Sequence, residues 1–142
     1  MLASVASLTS DLWLVVEDDD NDFLLFRRAC ARALNPQPLV HRENDGVAAK
    51  NFLSQNAETP RLIVSDLKMP NMGGLEFLQW VRNQSALRQV RFIMLSSSDA
   101  ERDVNAARTF GVDDYQVKPS GIGALTRLVQ KMETPRGRKE SP

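Results

Sequence analysis

Cysteine and histidine are almost missing from this chain: Cys30 and His41 are the only representatives among 142 residues. A lone thiol closes no disulfide within the chain, and one Cys with one His cannot assemble a zinc site; a reducing, cytoplasmic setting is the expectation. Charge of one sign is missing too, since 18 basic residues offset 18 acidic ones. That removes the electrostatic footprint of a nucleic-acid binder and the self-repulsion of a disordered chain. No apolar run approaches the ~20 residues that span a bilayer, so no membrane partner is expected. The opening residues, MLASVASLTS, lack the basic start and sustained apolar stretch of a secretory signal. Trp13 and Trp80 stand far apart and provide no stacking series for nucleic acid.

What remains is the make-up of one ordinary domain. With 42% hydrophobic and 25% charged residues the chain lies near the globular average, and its length suits a single core. The apolar periodicity begins at Leu12 and ends at Glu133, so we expect a flexible leader over 1–11, one domain over 12–133 and a tail over 134–142. The tail's Arg136, Arg138 and Lys139 read as a solubilising cluster.

Five times an apolar run is followed by a helical pattern. Leu12–Val16 is uninterrupted and stops at Glu17-Asp18-Asp19-Asp20, as in a strand buried on both faces. Phe23, Phe26, Cys30 and Ala33 then recur at helical spacing up to Pro36. Leu39–Arg42 is a second strand, Asn44-Asp45-Gly46 a turn, and Ala49, Phe52 and Leu53 mark a second helix. Arg61–Ser65 carries Asp66 at its carboxyl end, before a loop with Pro70, Gly73 and Gly74 and a helix with Leu75, Leu78 and Val81 inward. Arg91–Leu95 is a fourth strand; Ser98 and Glu101 have capping-box spacing for a helix ending at Gly111. Asp113–Val117 leads to Lys118-Pro119, and 121–133 forms a last helix. Strict alternation predicts a doubly wound α/β fold, three layers with a parallel sheet at the centre.

Open sheets of this kind bind ligands beyond the carboxyl ends of their strands. At that edge stand Glu17 and Asp18, Asp66, Ser96 and Lys118. Carboxylates gathered there repel one another and require positive charge. An all-oxygen set with few protein ligands suits Mg²⁺, with Mn²⁺ or another divalent cation as alternatives. Asp66 alone follows the central strand and is the expected nucleophile for a phosphoryl group. Glu17 and Asp18 would hold metal, and Lys118 and Ser96 would meet phosphoryl oxygens. With three carboxylates against a dication and one ammonium, the site would be neutral. An acyl phosphate is labile, which suits a reversible signal rather than turnover.

Blander readings apply to other residues. Asp19 or Asp20 caps a helix; His41 sits on the exposed side of a strand with no acid partner; Gly121-Ile-Gly123 lacks the third glycine of a dinucleotide loop. A phosphatase using aspartyl-phosphate chemistry of the haloacid-dehalogenase kind would want an Asp two residues after the nucleophile, where this chain has Lys68.

Leu14-Val-Val-Glu-Asp18, Val64-Ser-Asp-Leu-Lys-Met-Pro70, Leu95-Ser-Ser97 and Tyr115-Gln-Val-Lys-Pro119 resemble the receiver domains of two-component response regulators, the CheY-like family. The separations of thirty residues from Asp66 to Ser96 and fifty-two to Lys118 agree. The resemblance spans residues 12 to about 132 and implies a flavodoxin-like (βα)5 fold with strand order 2-1-3-4-5. It implies that Asp66 is the phosphoacceptor and Asp18 a direct metal ligand, with Glu17 acting mainly through water and the Lys68 carbonyl serving as a backbone ligand. Ser96 and Tyr115 become a switch pair, and the Lys118–Pro119 peptide would be cis. A sensor histidine kinase or histidine phosphotransfer protein is the implied donor, and the last two helices the implied surface for a homodimer. The Glu-Asp-Asp start and the helix opening at Asn21 resemble single-domain regulators paired with bacterial phytochromes, and only twenty-four residues follow Lys118, too few for an output domain. Gly73 stands where the family usually has Asp, which predicts a looser loop after Pro70.

Overall fold

The computed structural model of the chain describes residues 11–55 and 58–133. The leader up to residue 10 and the tail from residue 134 lie outside the described residues. In chain order the elements are β1 (Leu12–Val16), α1 (Asp20–Ala33), β2 (Leu39–Glu43), α2 (Gly46–Gln55) and β3 (Leu62–Ser65). They continue with α3 (Gly74–Asn83), β4 (Arg91–Ser96), α4 (Glu101–Thr109), β5 (Asp114–Val117) and α5 (Ile122–Glu133). All strand pairs are parallel, in the order β2-β1-β3-β4-β5.

Strand side chains alternate between faces, and this period of two divides the core. Trp13, Val15, Leu62, Val64, Ile93 and Leu95 point to the layer of α1 and α5, where Phe23, Phe26, Cys30, Leu125, Val129 and Met132 meet them. Leu14, Val16, Ile63, Phe92 and Met94 point the other way, to Ala49 and Leu53 of α2, Phe77, Leu78 and Val81 of α3 and Ala107 of α4. Because both faces are covered, the central strands are apolar throughout rather than alternating. Burial pushes the Cys30 thiol up to about 12, with Glu133 adding to the shift, so it packs as a small hydrophobe. Trp13 is fully buried, and Trp80 is half-buried beside Phe77.

Register brings the functional strand ends to one height. Val16 pairs with both Glu43 and Ser65, so the residues that follow β1 and β3 emerge side by side. Asp66 N–H donates to the Val16 carbonyl at 2.9 Å, and Glu17 N–H to the Glu43 carbonyl at 3.0 Å. Ser65 pairs with Met94 and Ser96 with Val117, which extends the edge to Lys118.

Several local expectations change. Glu101 opens α4, Ala100 is its N-cap without a side-chain bond, and Ser98 Oγ donates to Asp103 at 2.5 Å. No Ser98–Glu101 capping box forms, because the helix starts late and its third residue is Asp103. Gly111, at φ 92°, turns the chain after α4 in the left-handed region that favours glycine. The Lys118–Pro119 peptide is trans; among the described residues the cis bond joins Asn35 to Pro36. Lys118 N–H donates to the Ser96 carbonyl at 2.7 Å, so the extended line of β5 itself carries the lysine to the edge. His41 does have an acid partner, with Nε2 2.6 Å from Glu43, and its ring stacks on Phe52 at 3.9 Å.

The loop after Pro70 is tied down at several points, despite Gly73. Asn71 donates to Asp45 at 2.6 Å, Gly46 N–H to the Met72 carbonyl at 3.0 Å, and Gly74 N–H to the Leu67 carbonyl at 2.8 Å. The Asp45 carboxyl, held by the Ala48 N–H and by Asn71, lies below its usual range.

Arg82 closes the far side of α3. Its guanidinium donates to the carbonyls of Gly111 at 2.9 Å, Arg88 at 3.1 Å and Val90 at 2.7 Å, and to Asp113 at 3.0 Å. One planar fork thus joins the loop before β4 to the loop before β5. Arg82→Ala is expected to destabilise the domain by about 2 kcal/mol in urea unfolding, and Arg82→Lys to recover little, because an ammonium cannot span those acceptors.

Candidate functional site

The residues that directly follow β1 and β3, Glu17 and Asp66, face the same small volume. Glu17 follows β1 directly and is buried, with 6% exposure. Its Oε2 accepts from the Asp19 N–H at 3.1 Å. Asp18 is exposed at the rim. Arg42 of β2 steadies this turn, donating to the Glu17 carbonyl at 3.0 Å and pairing with Asp20 at 2.8 Å. Asp66, after β3, accepts from the Leu67 N–H at 2.7 Å through Oδ1. Its own carbonyl accepts from the buried Ser65 hydroxyl at 2.8 Å. A Cβ on Gly74 would stand 2.2 Å from that carbonyl, so the close approach of α3 beneath Asp66 requires glycine.

Lys118 draws these groups together. Its Nζ lies 2.7 Å from Asp22, 2.9 Å from Glu17 and 3.0 Å from Asp66. Burial works against the ammonium, but the hydrogen bonds it donates to Asp22, Glu17 and Asp66 outweigh it and push its pKa up. The Glu17 carboxyl moves in the direction of burial: desolvation, helped by the negative Asp66, raises it from 4.5 to about 7 against the pull of Lys118 and the Asp19 N–H. Below this cluster, Leu25, Phe26, Val64, Leu95 and Leu125 line an apolar cavity of about 50 Å³ that lowers the local dielectric.

Oxygen atoms of Glu17, Asp18 and Asp66 lie within 4.8 Å of one another. The ligand atoms are hard and anionic, and one ammonium stands against three carboxylates. They fit a divalent cation that favours oxygen ligands.

Of the residues expected at this edge, Glu17, Asp18, Asp66 and Lys118 come together. Ser96 is buried at the end of β4, and its Oγ accepts from the Ser98 N–H at 3.0 Å. Tyr115, half-buried, donates to the Ser98 carbonyl at 2.8 Å. Ser98 therefore joins Ser96 to Tyr115. Lys68 is exposed in the loop beyond Leu67.

Sequence reasoning missed Asp22. It sits in the first turn of α1, at the edge where Lys118 arrives, and an acid four residues after Asp18 was the available signal. It changes the charge balance: four carboxylates face one ammonium and, with a dication, the site carries one negative charge instead of being neutral.

The comparisons with known proteins agree with this geometry. The family described as response regulator receiver domain matches residues 14–130. The chain belongs to the receiver-domain family of response regulators. Among its relatives, Response regulator Rcp1 of Synechocystis is 30% identical over 126 residues, covering 85% of each chain. The phosphorylated cyanobacterial phytochrome response regulator RcpA superposes with a TM-score of 0.80 at 28% identity, over 88% of this chain and 92% of its own. The Mn²⁺-bound form of Rcp1 gives 0.76 at 29%, over 86% and 91%. This receiver domain accordingly has the CheY-like architecture of a phosphorylation switch. Among the described residues no helix is long and apolar enough to cross a membrane.

The raised Glu17 carboxyl gives the receiver domain a specific pH dependence. A group whose folded pKa exceeds its unfolded value contributes stability that is complete below the unfolded value and is lost as pH rises through the folded one. Without divalent cations, the Glu17 contribution should decline between pH 4.5 and about 7. Urea unfolding of wild type and Glu17→Gln in EDTA measures this, and the wild type is expected to lose ground to the variant as pH rises. Adding Mg²⁺ should reverse the trend for the wild type, since metal ligation requires the carboxylate.

Proposed function

We propose that this chain is a phosphoacceptor of a two-component relay, in which Asp66 takes a phosphoryl group from the phosphohistidine of a sensor kinase or a histidine phosphotransfer protein. A carboxylate oxygen of Asp66 attacks phosphorus in line, the P–N bond breaks, and its electron pair leaves with the imidazole. The observation that carries this reading is the position of Asp66, between the oxygen set suited to a cation and the Lys118 ammonium at 3.0 Å. Such groups neutralise the equatorial oxygens of a transferring phosphoryl.

Glu17, Asp18, Asp66 and the Lys68 carbonyl are the proposed metal ligands, for Mg²⁺ in the first instance. The cation would supply charge neutralisation at the phosphoryl oxygens. Lys118 would hold one phosphoryl oxygen. Ser96 Oγ, which already accepts from Ser98, retains its own proton to donate to another. A shift of Ser96 toward the phosphoryl would pull on the Ser98 segment to which Tyr115 is bonded, so Ser96 and Tyr115 act as the switch pair through that segment. The only reactions catalysed would be acceptance of the phosphoryl group and its hydrolysis. Residues 12–133 would form the switch, working in the cytoplasm through protein partners, with dimerisation through the last two helices, α4 and α5, as one output. The phytochrome in the RcpA name suggests a light-sensing kinase as the donor class.

Intact-mass spectrometry after treatment with acetyl phosphate and Mg²⁺ tests the reading. A gain of one phosphoryl group is expected, abolished by EDTA and by Asp66→Ala and slowed about 10²-fold by Lys118→Ala. No gain with any donor or divalent metal would overturn it.

A further inference from the structure

The mechanism so far leaves one charged group unused. Asp22 makes the shortest of the ion pairs to Lys118, at 2.7 Å, yet it is not in the oxygen set suited to a cation. How its carboxylate comes to be available is visible in the start of α1. Asp19 is the N-cap and accepts from the Asp22 N–H at 2.8 Å. In a capping box a Glu or Gln at this third helical position reaches back to the N–H of the cap residue, completing a reciprocal pair. Here that N–H is already donated to Glu17 Oε2 at 3.1 Å. The Asp22 side chain is released from capping and extends across the mouth of the site to β5.

An ammonium has three protons, and Lys118 has three carboxylate partners: Asp22, Glu17 and Asp66. Glu17 and Asp66 also belong to the cation-binding set, so their share of the ammonium falls when that set is in use. Asp22 has no second duty among the contacts of the site. We propose that Asp22 is a positioning residue: it holds the Lys118 ammonium at the mouth of the phosphoacceptor site while Glu17 and Asp66 serve metal and phosphoryl, and it keeps the lysine from collapsing onto them. The inference rests on the phosphoacceptor reading for its kinetic consequence and on geometry alone for the contact.

Asp22 on α1 and Lys118 after β5 both line the cavity that Phe26 and Leu125 also border, so the ion pair spans its wall between the two elements.

Asp22→Asn removes the charge and retains the backbone N–H that Asp19 caps, so α1 should start as before. Two measurements test the proposal. In donor-free protein, ¹⁵N NMR of labelled lysine should show slowly exchanging Lys118 ammonium protons in the wild type, and their loss in Asp22→Asn. In Mg²⁺ and acetyl phosphate, labelling of Asp22→Asn should be about three- to tenfold slower than wild type, with partial recovery in Asp22→Glu, whose longer carboxylate still reaches the ammonium. Unchanged ammonium exchange, or labelling as fast as or faster than wild type, would overturn the positioning role; the faster outcome would make Asp22 a competitor for Lys118. If the wild type itself took no phosphoryl group, the phosphoacceptor reading would fail, and the NMR comparison would still decide the contact.

Discussion

The ammonium of Lys118 is the element on which the site depends. Four carboxylates, among them the buried Glu17, converge on a single sheet edge above an apolar cavity. Without a shared cation their mutual repulsion at hydrogen-bonding range would open the edge. Lys118 bridges three of them at 2.7 to 3.0 Å, and so links the loops after β1 and β3 to β5 and to the first turn of α1. Burial of the Glu17 carboxyl, with a smaller push from Asp66, still raises it to about 7 against the pull of Lys118. A site with negative charge left over is one prepared for a dication, and through it for an anionic phosphoryl donor.

The scaffold supplies the rigidity that such an arrangement needs. Two apolar layers clamp the central strands, so the heights at which β1, β3 and β4 end are set by packing as well as by register. Glycine at position 74 lets α3 approach the Asp66 backbone closely. Arg42 fixes the Glu17 carbonyl from β2, and Arg82 ties the loop before β4 to the loop before β5, each using a planar guanidinium to satisfy backbone acceptors. Charges concentrated at the edge are thereby offset by hydrogen bonds made elsewhere.

Between the site and the outer face of the domain lies a short polar relay. Ser98 donates its N–H to Ser96, offers its carbonyl to Tyr115 and gives its hydroxyl proton to Asp103 of α4. A single loop residue therefore touches the end of β4, the ring on β5 and the start of the next helix. In the proposed switch this is the segment through which a small movement at the buried hydroxyl becomes a change at the surface, because each of its bonds must be remade if one is.

Much of this was legible in the amino-acid order. The unbroken apolar run Leu12–Val16 and its stop at Glu17, the glycine after α4, and the strand-terminal positions of Asp66, Ser96 and Lys118 follow from local periodicity and turn chemistry, which depend on near neighbours in the chain. What tertiary packing decided are relations between residues far apart in sequence. Asp22 and Lys118 are 96 residues apart, and nothing local announces their contact. Ser98 has capping-box spacing with Glu101, yet the pull of Asp103 and the bond from Tyr115 determine its role. Arg82 of α3 reaches Asp113 before β5, and His41 of β2 stacks on Phe52 of α2, for the same reason. Chain order dictates which groups reach the edge of the sheet; which of them touch, and how their charges are shared, is settled only when crossing layers bring separate segments within a few ångströms.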